Sequence, residues 1–244
     1  MSTLSTIAAV RFGYGADQGN DLPELAQQLV GDDTVVQDYP NMTLQSTADM
    51  IKIRIALKKQ ADKGDAEAKQ GYQDLNKFLV DHVRNSKRNI VMRAVVSDAG
   101  FRERLVQFWT NHFTVVAKNL MLSSTIPAFI DDAIRPHLAG NFSNLLTAST
   151  LHPVMLNFLD QTSSIGPNSN FGKRKGRGLN ENLARELLEL HTMGVNGNYT
   201  QTDVRQLAEL LTGLRVHDRH EMQFSPRLAE PGTEQVLGQT YGGD

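Results

Sequence analysis

Three histidines lie in or beside segments that predict helices, and imidazole is both a common metal ligand and a common general base. His112 and His191 fall on the apolar sides of their predicted helices, so their rings are expected to point into the protein. His152 precedes Pro153, which suits the first position of a helix and keeps His152 extended at the positive end of the helix dipole. A neutral ring in that position can accept a hydrogen bond or bind a metal.

If the three rings converge, they supply the nitrogen ligands of a site for zinc, iron or copper. Asp160 or Glu186 would then add an oxygen ligand or orient one of the rings. The sequence leaves the cofactor open, with a divalent transition metal as the candidate. The alternative for each histidine is a buried ring that bonds a backbone carbonyl, which is the commoner arrangement for a histidine taken alone.

The segment NENLARELLELHTMGV, residues 180–195, carries the second group of candidate residues. On a helical wheel Asn182, Arg185 and Glu186 share one polar side, and we take these three as candidate catalytic residues. The alternative is an ordinary solvated face, in which Arg185 bridges Glu181 and Glu189 at a spacing of four residues. Asn180 is suited to begin this helix, and Gly194 to end it.

Composition excludes several other chemistries. The chain has no cysteine, which rules out thiolate nucleophiles, iron–sulfur clusters and disulfides. The formal net charge of -2 gives no general attraction to nucleic acid or to an anionic membrane, so we expect neither partner. No apolar run approaches the roughly 20 residues of a membrane-spanning helix. A basic loop could bind phosphate, although such loops are usually just solvated; it contains Lys173, Arg174, Lys175 and Arg177.

The elements that must position these residues are helical, because apolar residues recur at spacings of three and four almost throughout. The predicted helices cover residues 3–10, 22–30, 44–60, 66–81, 87–96, 101–116, 126–138, 142–151, 153–159, 181–193 and 201–214. We therefore predict an all-α fold, a multi-helix orthogonal or antiparallel bundle with long irregular loops, in a single domain over residues 1–244. Residues 161–179 are expected to form a mobile loop, and the chain after residue 216 is expected to be irregular.

Several of these segments resemble the bacterial proteins grouped as domain of unknown function 1800. The resemblance runs through RFGYG at 11–15, FWTNHF at 108–113, HPVMLNFLD at 152–160, LNENLARELLELHTMGV at 179–195, YTQTDVRQLAELLTG at 199–213 and VLGQTYGGD at 236–244. It departs at Leu214 and Ala229, where the family commonly has Trp and His. No role of that family histidine is therefore carried over to this chain.

The resemblance implies a helical fold but no reaction. Members of the family are typically longer, so this chain is expected to correspond to their front portion, and the missing portion or another protein is the expected partner. The opening residues are too short and polar for a secretory leader, so the chain as written reads as cytoplasmic, but its compartment stays unknown and export beside a partner is left open. Two hypotheses follow: a metal- or cofactor-dependent enzyme that uses the histidines, and a non-catalytic scaffold in which the histidines are structural.

Overall fold

The computed structural model of the chain describes residues 6–7, 10–11, 22–176 and 178–242. The chain divides into two compact units, Met1–Leu145 and Leu146–Asp244, and each is described by itself. The helix predicted at residues 3–10 lies largely outside the described residues. The single domain over residues 1–244 stays a prediction.

Helices account for most of the described chain, which confirms the predicted fold class. In order they are α1 (Leu22–Val30), α2 (Val35–Asp38), α3 (Leu44–Ala61), α4 (Ala66–Val96), α5 (Gly100–His112), α6 (Leu120–Phe129), α7 (Phe142–Leu151), α8 (Pro153–Phe158), α9 (Asn170–Lys175), α10 (Asn182–Glu189) and α11 (Gln201–Leu210). A π-helical turn, Ile130–Ile134, and a 3-10 turn, Arg135–His137, follow α6, and two further 3-10 turns cover Gln161–Ser163 and Pro226–Leu228. No helix in the described residues is both long and apolar enough to cross a membrane.

Helix α4 joins two helices that the sequence predicts as separate. The predicted break falls at residues 82–86, yet the helix continues through them because His82 and Ser86 face the interior. The His82 ring bonds the carbonyl oxygen of Ser124 through Nε2 at 3.1 Å, and the Ser86 hydroxyl lies 3.4 Å from Nδ1. The tertiary hydrogen bond to Ser124 and the contact within the helix therefore offset the weaker helix propensity of the two polar residues.

The helix predicted at residues 126–138 is interrupted. Pro127 lies inside α6 and cannot donate a backbone hydrogen bond, and the chain widens into the π-helical turn directly after that helix. This turn carries Asp131 and leads into Arg135. Both residues belong to a buried group of charges that holds unit 1 together.

The interior of unit 1 contains three buried arginines, each of which has several partners. Arg93 forms an ion pair with Asp131 and donates to the carbonyl oxygen of Tyr39 at 2.7 and 3.0 Å. Arg135 donates to both carboxylate oxygens of Asp33, at 2.7 and 2.8 Å, and to both of Glu103. Because a buried charge without a partner is costly, these pairs force the π-helical turn, α4, α5 and the segment after α1 into one arrangement.

The third arginine, Arg102, binds the backbone that follows α1. It donates to the carbonyl oxygens of Gln28 and Leu29, at 2.8 and 2.9 Å, and to that of Gly31. Its guanidinium also lies 3.6 Å from Asp33. We call Arg93, Arg102, Arg135, Asp33, Glu103 and Asp131 the arginine network of unit 1.

The network also affects the titration of Asp33. Burial alone would raise the pKa of Asp33, but hydrogen bonds and charge interactions with Arg135 lower it below its usual value. The folded chain therefore holds this proton more weakly than the unfolded chain. The resulting contribution to stability is complete above the ordinary pKa and is lost as the pH falls through the lowered value.

One buried hydrophobic cluster of unit 2 lies between α10 and α11. Ala184 and Leu188 pack against Val204 and Ala208, and all four side chains are buried. Helix α11 begins with a capping box, in which Thr200 and Asp203 each accept a hydrogen bond from the other's backbone. Two helices thus present their small and branched residues to each other.

The segment at residues 161–179, predicted as a mobile loop, is packed over its first part. Gln161, Ser164, Ile165 and Ser169 are buried, and the remainder contains the short helix α9. Gly172 approaches the chain so closely that a Cβ atom there would lie 2.2 Å from the carbonyl oxygen of Gly166. The glycines of this segment therefore permit close packing, whereas the sequence suggested flexibility.

The chain after residue 216 is also more regular than predicted. Strands β1 (Leu214–His217) and β2 (Glu221–Phe224) form one antiparallel hairpin, and β3 (Thr233–Val236) and β4 (Gln239–Gly242) form another. The second turn uses Leu237 and Gly238, both at positive φ, as a two-residue hairpin turn requires. Asp203 accepts a hydrogen bond from the backbone N–H of Leu237 at 2.7 Å, which ties this hairpin to α11.

The arginine network predicts a large difference between buried and exposed ion pairs in this protein. Replacing Arg135 by Met leaves Asp33 and Glu103 without their main partner, and we expect a loss of about 3–5 kcal/mol in the free energy of unfolding. Urea denaturation followed by circular dichroism measures this loss.

The matched control is Arg84→Met, which removes an exposed pair with Asp81 from α4. Its effect should stay below about 1 kcal/mol, because exposed pairs are screened by water. Equal losses in the two variants would contradict the role assigned to the network.

Candidate functional site

His112, the candidate ligand in unit 1, lies at the end of α5 within a group of aromatic rings. Its ring centroid is 4.7 Å from that of Phe113, 5.3 Å from that of Trp109 and 6.5 Å from that of Phe142. The helix ends at His112, four residues earlier than predicted, and the ring is half-buried. His112 therefore packs among aromatic side chains.

His152, the first of two candidate ligands in unit 2, caps helix α8. It adopts the extended conformation that Pro153 imposes, and its Nδ1 accepts a hydrogen bond of 3.3 Å from the backbone N–H of Val154. The ring therefore satisfies one of the backbone N–H groups at the start of the helix. The side chain is buried.

His191 follows the last turn of α10 and is buried, as its place on the apolar side of the wheel predicts. Its backbone N–H donates to the carbonyl oxygen of Glu186 at 2.9 Å, in the turn that ends the helix. Asp160, the candidate oxygen ligand, is exposed and adopts a left-handed conformation with φ of 57°. Its carbonyl oxygen accepts bonds from the Ser163 hydroxyl and the Asn180 side chain.

These positions do not by themselves assemble a metal centre. Within the described residues, no group of three or more His, Cys, Asp or Glu side chains is arranged to hold a metal ion. His112 belongs to unit 1, whereas His152, His191 and Asp160 belong to unit 2. Their common metal site remains a prediction.

The three candidate catalytic residues lie along α10. Asn182 is exposed, and Arg185 donates to Glu181 at 2.9 Å and to the side-chain oxygen of Gln201 at 3.1 Å. Gln201 in turn donates to Glu181 at 2.8 Å. The side chains of Arg185, Glu181 and Gln201 thus form a closed triangle of hydrogen bonds that links α10 to the start of α11.

Glu186 has a pKa above the ordinary value of a glutamate. Partial burial raises the pKa of Glu186, the negative charge of Glu189 raises it further, and Arg185 opposes the shift. A raised pKa means that the Glu186 carboxyl group keeps its proton to a higher pH than an ordinary glutamate does. In the described residues Arg185 bonds Glu181 and Gln201, and the expected second bridge to Glu189 is not formed.

A cleft of unit 1 lies between α4 and α5. It has a volume of about 640 Å³, and half of the residues that line it are apolar: Ile90, Val91, Ala94, Val95, Val106 and Ile130. Val91 and Val95 are 60% and 72% exposed at its edge. Gln107, Thr110 and Asn111 line one side, and Arg93, Glu103 and Arg135 of the arginine network complete the lining.

Thr110 contributes a hydroxyl group to the lining of this cleft. Its hydroxyl oxygen is buried and has no hydrogen-bond partner among the described residues. A hydroxyl can both donate and accept, so a molecule in the cleft with one hydrogen-bonding group could satisfy it. Unpartnered buried hydroxyls are uncommon in folded proteins.

A second cavity of unit 1, of about 710 Å³, also borders the arginine network. Its lining includes Arg93, Arg102 and Arg135, but their guanidinium groups are directed to Asp131, Asp33, Glu103 and backbone carbonyl oxygens. An anion in this cavity would compete with partners already in place. We therefore interpret this cavity as space left by the packing of the arginine network.

Sequence reasoning missed the cleft and the network beneath it. On a helical wheel Glu103 falls on the polar side of its helix, yet it is 4% exposed and paired with Arg135. One signal was available: the polar residues His82, Ser86 and Arg93 recur at helical spacing on α4, and all are buried. A polar stripe at this spacing is compatible with a buried network or with a solvated face, and the partners decide which.

The triangle of Arg185, Glu181 and Gln201 generates a prediction of small effect. The Arg185 side chain is 41% exposed, so its bonds compete with water. Arg185→Ala should lower the free energy of unfolding by about 0.5 kcal/mol, as exposed helical pairs do. Urea denaturation checks this value. A loss several times larger would show that the residue serves more than a surface bridge.

Comparison with known proteins adds a family to this description. A family model described as a protein of unknown function (DUF1800) matches residues 7–244. No curated protein and no solved structure matches the chain. Because the model covers nearly the whole sequence, the chain belongs to the DUF1800 family.

Proposed function

We propose that the protein is a binding protein, and that the cleft between α4 and α5 takes a small, largely apolar molecule with one hydrogen-bonding group. The observation that carries this proposal is the cleft itself, whose volume of about 640 Å³ falls in the range of ligand sites. Like the scaffold hypothesis drawn from the sequence the proposal is non-catalytic, but it differs in that the ligand is a small molecule.

The walls of the cleft support an apolar ligand. Val91 and Val95 project from successive turns of α4, and both leave more than half of their surface in water. Covering such side chains releases water from apolar surface, which is favourable by about 25 cal/mol per Å². The ligand would therefore gain most of its affinity from α4.

The polar groups of the cleft support binding over acid–base chemistry. Both oxygens of Glu103 accept hydrogen bonds from Arg135, so this carboxylate is engaged in holding the fold. Thr110, by contrast, has a buried hydroxyl with no partner among the described residues. A few fixed polar groups in an apolar site orient a ligand and set its specificity.

Blocking the cleft should abolish this binding. N-phenyl-1-naphthylamine is a suitable probe because it is neutral, mostly apolar, fluorescent in apolar surroundings and carries one N–H group. Ala94→Phe places a ring in the cleft and should weaken probe binding by about tenfold or more, equivalent to at least about 1.4 kcal/mol. Fluorescence titration of the full chain measures the dissociation constant.

The matched control is Val80→Phe, which adds the same ring to an exposed position of α4 outside the cleft lining. It should bind the probe as the unmodified chain does. Thr110→Val adds a second test, because it removes the hydroxyl and keeps the shape. It should leave stability unchanged or raise it, yet weaken the probe. No binding to the unmodified chain, or equal binding by Ala94→Phe, would contradict the proposal.

The metal-dependent enzyme remains the competing hypothesis, supported by two buried histidines in unit 2. It predicts a stoichiometric amount of zinc, iron or copper in protein purified without chelator or histidine tag. His152→Ala and His191→Ala should each lose that metal, whereas the exposed His217→Ala should keep it. Elemental analysis decides: a metal-free unmodified chain contradicts the enzyme hypothesis and leaves the binding proposal untouched.

A further inference from the structure

A pocket in unit 2 is lined by three arginines. It has a volume of about 500 Å³, and Arg174 of α9, Arg215 of β1 and Arg227 of the 3-10 turn all line it. No acidic residue in the described part of the chain contributes to its lining. The pocket thus concentrates positive charge without a carboxylate in its wall.

Two arginines of this pocket differ from those of unit 1 in their partners. Guanidinium groups stay protonated at all ordinary pH values, so each one in the pocket adds a positive charge. In unit 1 the buried arginines are each offset by carboxylates or carbonyl oxygens. In unit 2, neither Arg174 nor Arg227 forms an ion pair with a residue that the structure describes. An anion in the pocket would give these two guanidinium groups a partner.

The pocket is built by close packing of its two walls. The backbone N–H of Gly166 donates to the carbonyl oxygen of Leu228 at 2.9 Å, which joins the segment before α9 to the 3-10 turn. A Cβ atom on Gly166 would lie 2.5 Å from the backbone nitrogen of Glu230, so only glycine fits there. Asn168 donates to the carboxylate of Glu230, which holds that acid outside the lining.

The remaining lining residues suit the organic group of a ligand whose anionic group contacts the arginines. Ile165 and Leu228 are apolar, and Phe171 places its ring centroid 5.9 Å from the guanidinium carbon of Arg174. An aromatic ring beside a guanidinium is a surface on which a flat apolar group can stack. Asn170 and Ser225 add neutral hydrogen-bonding groups.

We propose that this pocket binds a small organic phosphate, with the phosphate group held by Arg174, Arg215 and Arg227 and the organic group placed against Phe171. Phosphate offers three terminal oxygens, and the planar fork of arginine matches them in pairs. A carboxylate offers two oxygens and would leave part of the donor set unused.

Phenyl phosphate is the probe for this proposal. Isothermal titration calorimetry of the full chain, at constant ionic strength, should show one site, with weaker binding of inorganic phosphate and of phenylacetate. Arg174→Gln and Arg227→Gln, both at exposed positions, should each weaken phenyl phosphate about tenfold or more, since hydrogen bonds between charged groups are strong. Circular dichroism checks that both variants remain folded.

Lys173→Gln is the matched control, because it removes the same charge from the adjacent position of α9, outside the lining. It should weaken the probe far less than Arg174→Gln. Three results would overturn the proposal: no binding by the unmodified chain, equal loss in Lys173→Gln, or tighter binding of phenylacetate than of phenyl phosphate. The apolar probe of unit 1 uses different residues, so either proposal can fail alone.

Discussion

The buried arginine network is the constraint on which the organisation of unit 1 depends. A guanidinium removed from water must find a carboxylate or carbonyl oxygens in the correct geometry, because otherwise the desolvation cost exceeds what the fold can offset. Arg135 meets this need with Asp33 and Glu103, which come from two distant parts of the chain. The π-helical turn after α6 supplies Asp131 to Arg93 in the same way. The cleft beside α4 lies over this network and has a floor that cannot easily move.

The two units use arginine for opposite purposes. In unit 1 the guanidinium groups bond carboxylates and carbonyl oxygens of the protein itself. A ligand of the adjoining cleft would therefore contact mainly its apolar walls and Thr110. In unit 2 the arginines line a pocket with no acid in its described wall, so its capacity is electrostatic. We propose that one chain carries both an apolar site and an anionic-ligand site, and the physical difference between them is the presence of carboxylates.

The surroundings of each histidine do not determine whether the three histidines share a metal site. His152 is extended and buried at a helix start because the following proline and the backbone N–H of Val154 hold it there. His191 is buried because it completes the apolar side of α10, and His112 packs among aromatic rings. Each environment follows from residues near in sequence. A shared metal needs distances between separate elements, which local pattern does not contain.

The sequence by itself determined the helical class, the bounds of α1 and α7, the extended conformation of His152 and the inward direction of His191, because these follow from periodicity and proline geometry. Only the tertiary structure decided which charges are buried. Glu103 lies at a wheel position that suits solvent, and its burial depends on Arg135, 32 residues away. The glycines near α9 likewise allow a mobile loop or a tight contact, and the nearby chain decides between them. Long-range partners determine these outcomes, since a charge or a glycine has no preferred environment until its neighbours are in place.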